Sequence, residues 1–320
     1  MQAVAQAQPN IALIKYWGKR DVDKNLPAVD SLSVTLDTLW TRMSLAFDAQ
    51  LEQDTLRVND AAAPAMLERV SHCLDLVAGV DRDRARVEST GNFPIGAGLA
   101  SSASAFAALV VAANEAVDSG HDTNALARLA GAASGSAARS LLGGFVELTV
   151  GDTDIEVNNV ADCGSWPLEV IVAVTSEEPK AVGSTEAMIR SAKTSPFYSS
   201  WLELQAGDLE LARDAVRQQD FGKLAAVAEH NCLKMHSVMW GSRPPIVYWN
   251  QATLACMEMV RTLQADGHAV FFTIDAGPQL KAVCLPEAGQ LVREALEQTS
   301  GVKRTLQSGL GPGARLLERE

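Results

Sequence analysis

Apolar and polar positions alternate most clearly near the start of the chain. Residues 11–14, 33–36 and 42–47 read as strands, and in the last of these Met43, Leu45 and Phe47 share one side. A strand at 84–89 sets Ala85, Val87 and Ser89 together before a Gly-rich turn, and the length and Ala content of 101–117 predict a buried helix after it. The small-residue segment 125–142 predicts a second, tightly packed helix, ended by Gly143-Gly144 ahead of a strand at 145–150. Polar and turn-forming residues 158–167 mark a domain boundary. Beyond it come a largely apolar strand at 168–174, long helices around 202–217 and 221–238, and a strand at 269–273. No repeat or low-complexity tract interrupts this order. It predicts an α+β, two-layer protein in two domains, 1–167 and 168–320.

Composition narrows the function classes. With 320 residues, 47% of them apolar, the chain buries a substantial core. Its 27 Lys and Arg against 39 Asp and Glu give a net charge of −12, which repels nucleic-acid phosphates and anionic membrane over most of the surface. An anionic substrate must therefore meet a local basic cluster. Cys73, Cys163, Cys232, Cys256 and Cys284 are scattered and odd in number, which suits neither a disulfide framework nor a zinc site and predicts a reducing, cytoplasmic setting. Residues 1–8 carry no basic or apolar leader region, and the apolar stretch 105–113 stops at Asn114 and Glu115, so neither a signal nor a membrane span is expected. His230 and His236 are six apart on a predicted helix, share no face and read as structural.

The sharpest local feature is Pro94-Ile95-Gly96-Ala97-Gly98-Leu99-Ala100-Ser101-Ser102-Ala103-Ser104, a Gly-rich turn entering a helix with hydroxyls in its first turn. Glycines let backbone approach a phosphate, free N–H groups and the helix dipole favour negative charge, and the serines donate further bonds or help hold magnesium. The same residues also suit a plain cap on a buried helix. No Gly-Lys-Ser/Thr follows as in a Walker loop, and Ser101 stands where a dinucleotide fingerprint has its third Gly.

That loop resembles the nucleotide loop of the GHMP kinases. Three further segments resemble one branch of that superfamily, the diphosphomevalonate decarboxylases: Asn10-Ile11-Ala12-Leu13-Ile14-Lys15-Tyr16-Trp17-Gly18-Lys19-Arg20-Asp21, Ser31-Leu32-Ser33-Val34-Thr35-Leu36 and Thr273-Ile274-Asp275-Ala276-Gly277-Pro278. Gly135-Ser136-Ala137-Ala138-Arg139-Ser140 and residues 233–242 match in the same order, so the resemblance spans most of the chain. It implies a two-domain GHMP kinase-like α+β fold with the active site in the interdomain cleft, and a homodimer. It also implies use of ATP and Mg2+ to convert mevalonate 5-diphosphate into isopentenyl diphosphate, with carbon dioxide, ADP and phosphate as the other products.

By the same resemblance Asp275, Lys15 and Arg139 are catalytic. Asp275 orients or deprotonates the tertiary hydroxyl, Ala276 contacts the same group through its backbone, and Lys15 lies close to the reacting groups. Tyr16 and Lys19 hold the diphosphate with Ser134 and Ser136 nearby, Arg139 binds the carboxylate, and Ser191 is a further substrate contact. Pro94, Gly96, Ala97, Gly98, Leu99, Ala100, Ser101 and Ser102 bind the nucleotide, with Ser102 toward the metal. The chain departs from the family pattern at Val29 and Asp30, where Asn or Ser is usual, and at Ala187 and Ala192. Asp30 adds negative charge near the site and Ala192 falls where some bacterial members have an Arg that touches substrate, so a decarboxylase or 3-kinase acting on mevalonate 5-phosphate is the first alternative. A catalytically dead metabolite-binding relative is the second.

Overall fold

The structure, a computed structural model, describes residues 2–93 and 101–319. The first half runs β1 (Gln2–Ala7), β2 (Asn10–Ile14), β3 (Lys19–Asp21), β4 (Leu26–Pro27), β5 (Ser31–Thr35), β6 (Thr41–Asp48), β7 (Thr55–Val58) and β8 (Ala61–Ala62). It continues through α1 (Pro64–Ala78), β9 (Arg84–Gly91), α2 (Ser101–Val117), α3 (Thr123–Ala133), a 3-10 turn (Ala137–Leu141), β10 (Phe145–Val150) and β11 (Ile155–Ala161). The second half holds β12 (Glu169–Val174), α4 (Ser184–Thr194), α5 (Tyr198–Gln218), α6 (Phe221–Trp240), α7 (Gln251–Ala265), β13 (Val270–Ile274) and β14 (Leu280–Cys284). It ends with α8 (Gly289–Glu297), β15 (Arg304–Ser308) and β16 (Arg315–Arg319).

Among the described residues the strands form sheets in the orders β16-β1-β6-β9-β7-β8, β11-β10-β5-β2 and β13-β14-β12-β15, with β3-β4 as a small hairpin. Pairings are antiparallel except β7 with β9. The first core takes Ala3, Met43 and Val87 from the first sheet and Val146, Leu148 and Val157 from the second, with α1, α2 and α3 between them. Nearly every side of α2 is buried from Ala103 to Ala116, as its Ala-rich sequence requires, because only small side chains let both sheets close on it.

The other face of the second sheet, through Ile11, Leu13, Leu32, Val34 and Phe145, packs on Val170, Val172, Leu209, Val227, Phe271 and Val283 of the second half. A third core joins the remaining face of β12, β13 and β14 to α7 and α8. The expected division at residue 167 falls in the loop between β11 and β12, and the chain's last strand returns to pair with β1.

The expected single helix over 125–142 is a correction. Here α3 stops at Ala133, Ser134 is extended, and Ala137–Leu141 forms the 3-10 turn. The Ser136 carbonyl, which a continuing α-helix would give to residue 140, instead accepts from Asn10 Nδ2 at 2.9 Å. Gly135 passes against the Tyr16 ring, where a Cβ would stand 2.2 Å from Oη. Tertiary contacts from β2 and the segment after it therefore break the helix.

Candidate active site

Strand alternation aims the reactive groups. Along β13, Phe272 and Ile274 enter the core beneath α7 and α8, so Phe271, Thr273 and, one step beyond the strand, Asp275 face β2. Thr273 Oγ1 donates to the Ala12 carbonyl at 3.4 Å, which ties the two strands across the halves of the chain. Lys15 follows β2 directly, is 2% exposed, and places Nζ 2.5 Å from Asp275 Oδ1. Its backbone is held from below: Asn231 Oδ1 accepts from Lys15 N at 2.8 Å, and Gln205 Nε2 donates to the Lys15 carbonyl. Asn231 Nδ2 in turn donates to Gln205 Oε1 and to Asp208 Oδ2, both at 2.6 Å, and Asp208 pairs with Lys234. This satisfied, buried polar network on α5 and α6 fixes where Lys15 points.

Asp275 is about a quarter exposed and meets a second ammonium, Lys281 Nζ, 3.0 Å from Oδ2. Burial alone would raise its carboxyl, but Lys15 and Lys281 outweigh that and hold it far below the usual carboxylate range. The turn after it is anchored by Thr253 and Thr175, whose hydroxyls donate to the Pro278 carbonyl at 2.6 and 3.0 Å.

Opposite stands Arg139, buried in the 3-10 turn. Nη1 donates to Ser31 Oγ at 2.8 Å, and Nε and Nη2 donate to Asn10 Oδ1 at 3.3 and 3.1 Å. Burial lowers its affinity for a proton, opposed by Tyr16 and Asp275, yet a guanidinium stays charged at any ordinary pH. Tyr16 sits with its ring centroid 5.9 Å from the Arg139 guanidinium carbon, and burial pushes its phenol up, which keeps it a hydrogen-bond donor. Gly18 has φ of +109°, and Tyr198 Oη occupies the place a Cβ would take. Only glycine makes that turn, and the turn sends Lys19 into the cleft, where burial and then Arg69 lower its ammonium to about 8.

These groups line one cleft of about 880 Å³. Lys15, Tyr16, Lys19, Ser134, Ser136, Arg139, Asp275 and Ala276 border it together, and so do Ser101 and Ser102 at the start of α2. Ser134 Oγ donates to Ser102 Oγ at 3.4 Å, so the helix start and the break after α3 meet. Pro94, Gly96, Ala97, Gly98, Leu99 and Ala100 lie outside the described residues.

Ser191 does not join the set: it is fully buried in α4, bonded through Oγ to Ser242 Oγ at 3.0 Å, and absent from the cleft wall. The exposed Ala192 lies beside it. Asp30 also points elsewhere, its Oδ1 accepting from Val150 N at 2.7 Å, while Val29 is buried among Trp17, Met188 and Trp201. The extra negative charge expected there is thus spent on capping β10.

Three cations had no motif to announce them. Arg69 of α1 stacks 4.9 Å from the Phe106 ring centroid, and Lys180 reaches Ser184 Oγ at 2.6 Å and the Ala276 carbonyl at 3.4 Å. Both border the cleft. Lys281 is the third, and a lysine inside the apolar strand Leu280–Cys284 was its available signal. Lys15, Lys19, Arg69, Arg139 and Lys180 supply the local basic cluster that an acidic chain needs to hold a multiply charged anion.

The chain is similar to known proteins over nearly its whole length. Residues 7–159 match the diphosphomevalonate decarboxylase-like N-terminal domain, and residues 170–309 match the mevalonate 5-diphosphate decarboxylase C-terminal domain. A diphosphomevalonate decarboxylase of Candida albicans is 32% identical, over 97% of this chain and 96% of the relative. The crystal structure of mevalonate diphosphate decarboxylase from Staphylococcus aureus aligns with a TM-score of 0.93 at 36% identity, covering 99% of this chain and 98% of that one. A structure described as a complex with MVAPP, AMPPCP and magnesium aligns with a TM-score of 0.93 at 35% identity, covering 100% of this chain and 99% of that one.

Fold and cleft therefore define a two-part α+β protein of the GHMP kinase-like class. Within that class, identity of this level over nearly the whole length places the chain in the diphosphomevalonate decarboxylase family.

Proposed function

We propose that the chain carries out ATP-dependent decarboxylation of mevalonate 5-diphosphate, giving isopentenyl diphosphate, carbon dioxide, ADP and phosphate. One observation carries the reading: a single cleft joins the Lys15–Asp275 pair, the Arg139 fork, Tyr16 and Lys19, and the serine-rich start of α2. In this reading Tyr16, Lys19, Ser134 and Ser136 hold the diphosphate, Arg139 binds the carboxylate, and Asp275 with Lys15 orients the tertiary hydroxyl. Ala276 lies against that hydroxyl through its backbone. Because the lysines make Asp275 a weak base, it takes the hydroxyl proton late, once the new P–O bond has made that oxygen acidic. Hydroxide is a poor leaving group, whereas phosphate departs from the ester with the C–O electron pair and leaves a cationic tertiary carbon. The electron pair of the C–C bond to the carboxylate then fills the cationic carbon, forming the alkene and releasing carbon dioxide.

Magnesium would fit the cleft as an ion brought in with the nucleotide rather than one caged by protein side chains. Ser102 offers one neutral hydroxyl, and no cluster of three or more His, Cys, Asp or Glu suited to a metal exists among the described residues. When bound it would offset phosphate charge during transfer. Pro94, Gly96, Ala97, Gly98, Leu99 and Ala100, with Ser101 and Ser102, are assigned here to the nucleotide, and Ser101 and Ser102 at the N-terminus of α2 support this.

The test is product analysis with pure protein, ATP, magnesium and mevalonate 5-diphosphate. Carbon dioxide and phosphate should appear in equal amounts, and absence of both ends the reading. We also infer two units, 1–167 and 168–320, supported by the matched segments ending at 159 and starting at 170. A homodimer, checked by light scattering, rests on the family resemblance. A cytoplasmic setting is supported by free thiols at Cys73, Cys232, Cys256 and Cys284, all buried. No described helix is long and apolar enough to cross a membrane.

A further inference from the structure

The strand pair behind Asp275 brings a lysine up from within the sheet. In β14, Leu280, Ala282 and Cys284 enter the core under α7 and α8, so Lys281 and Val283 face β2. Lys281 pairs across the sheet with Thr273, two positions before Asp275, and residues 273, 275 and 281 share that face. Its side chain is 0% exposed. A methionine or leucine would fill the same space with no charge to desolvate, so an ammonium here needs a compensating partner. Asp275 is a partner of that kind: Lys281 Nζ lies 3.0 Å from Oδ2, while Lys15 Nζ lies 2.5 Å from Oδ1.

We propose that Lys281 is a positioning residue for the decarboxylation, holding Oδ2 while Lys15 holds Oδ1, so that the Asp275 carboxylate keeps one orientation toward the reacting hydroxyl. This rests on the function proposed above. Two anchors, one per oxygen, stop the carboxylate from rotating about its Cβ–Cγ bond, which a single anchor allows. The sheet supplies the second anchor from behind, so Lys281 needs no contact with substrate. The ionisable groups that act on Asp275 are Lys15 after β2, Lys281 on β14, Lys180 after β12, Arg139 in the 3-10 turn, and Cys232 and His236 on α6. Of these, Lys15 and Lys281 are the ones ion-paired with the carboxylate.

The experiment compares Lys281→Met, Lys281→Arg and the unaltered full-length protein in carbon dioxide release from mevalonate 5-diphosphate across pH. Lys281→Met should lower kcat by about 10- to 100-fold, as loss of orientation does, with KM within about threefold. Its acid limb should move up by about 1–3 pH units, because a cation beside a carboxylate depresses it by that much. Lys281→Arg should recover part of kcat and return the limb toward the parent. A Lys281→Met protein with parental kcat and acid limb overturns the inference.

Should Lys281→Met fold poorly, thermal melting decides. The loss should be present beside Asp275 and absent in an Asp275→Asn background, whereas equal losses in both backgrounds overturn the coupling. If the unaltered protein releases no carbon dioxide, the proposed function fails, which is distinct from an active parent beside an unaffected variant.

Discussion

Gly135 lies where Tyr16 closes on the break after α3, and adding one methyl there tests how tightly the cleft is built. A Cβ at residue 135 would stand 2.2 Å from Tyr16 Oη and 3.0 Å from its Cζ. Ordinary contact needs about 3.5 Å, so the hydroxyl must retreat by about 1.3 Å. The cleft offers the open direction, and the ring would then enter the space assigned to the substrate diphosphate. Misplacement of that size costs up to about 100-fold in kcat/KM, or about 2.7 kcal/mol. Most of it should appear in KM, because Tyr16 is proposed to bind rather than to react. Stability should fall by less than the roughly 1–3 kcal/mol of a buried overpacked site, since the ring has somewhere to go. Steady-state kinetics and a urea melt of Gly135→Ala measure both quantities. In a Tyr16→Phe background the 2.2 Å clash disappears and the 3.0 Å one remains, so the added methyl should cost less there. A Gly135→Ala protein with parental KM and kcat would refute the close-packing argument.

Other expectations follow from the same cleft. Lys19 is charged below its ammonium value of about 8, and a diphosphate needs the cation, so kcat/KM should be full below that pH and fall as pH rises through it. In Lys19→Arg that alkaline limb should move upward, and an unmoved limb assigns it to another group. Asp30→Asn should leave the ratio of kcat/KM for mevalonate 5-diphosphate over mevalonate 5-phosphate unchanged within about threefold, because its Oδ1 serves Val150 N rather than the cleft. A large change in that ratio would restore Asp30 as a substrate-selecting charge. Asn231→Ala strips partners from Lys15 N, Gln205 and Asp208 at once and should cost about 2–4 kcal/mol in a urea melt, with a fall in kcat as Lys15 loses its mooring.

Legibility of the chain followed the range of the interactions. Alternation in β9, with Ala85, Val87 and Ser89 buried and their neighbours exposed, and the Ala-rich α2 could be read because burial imposes a local period on them. The strand β12 was readable as an apolar run because it is central to its sheet. The helix over 125–142 was misread for the opposite reason. Its residues favour helix throughout, and what breaks it is Asn10 and Tyr16, more than a hundred positions away in sequence. Lys281 and Lys180 belong to no motif, and Ser191 fits a motif yet turns its hydroxyl into the protein.

Motifs, then, named the groups while distant scaffolding set their geometry. Lys15 and Asp275 are 260 positions apart, and nothing local to either brings Nζ to within 2.5 Å of Oδ1. Two long-range devices do. The strands β2 and β13 are tied at Ala12 and Thr273, which sets the distance between the two segments. The Asn231–Gln205 pair grips both the N–H and the carbonyl of Lys15, which sets the direction of its side chain. Position and direction are thus controlled separately, and the second device, Asn231 with Gln205, lies off the cleft wall. Damage to the second should therefore spare substrate affinity and reduce turnover, because Tyr16, Lys19 and Arg139 are held by other contacts. An Asn231 variant that loses KM and kcat alike would mean instead that the cleft moves as one body.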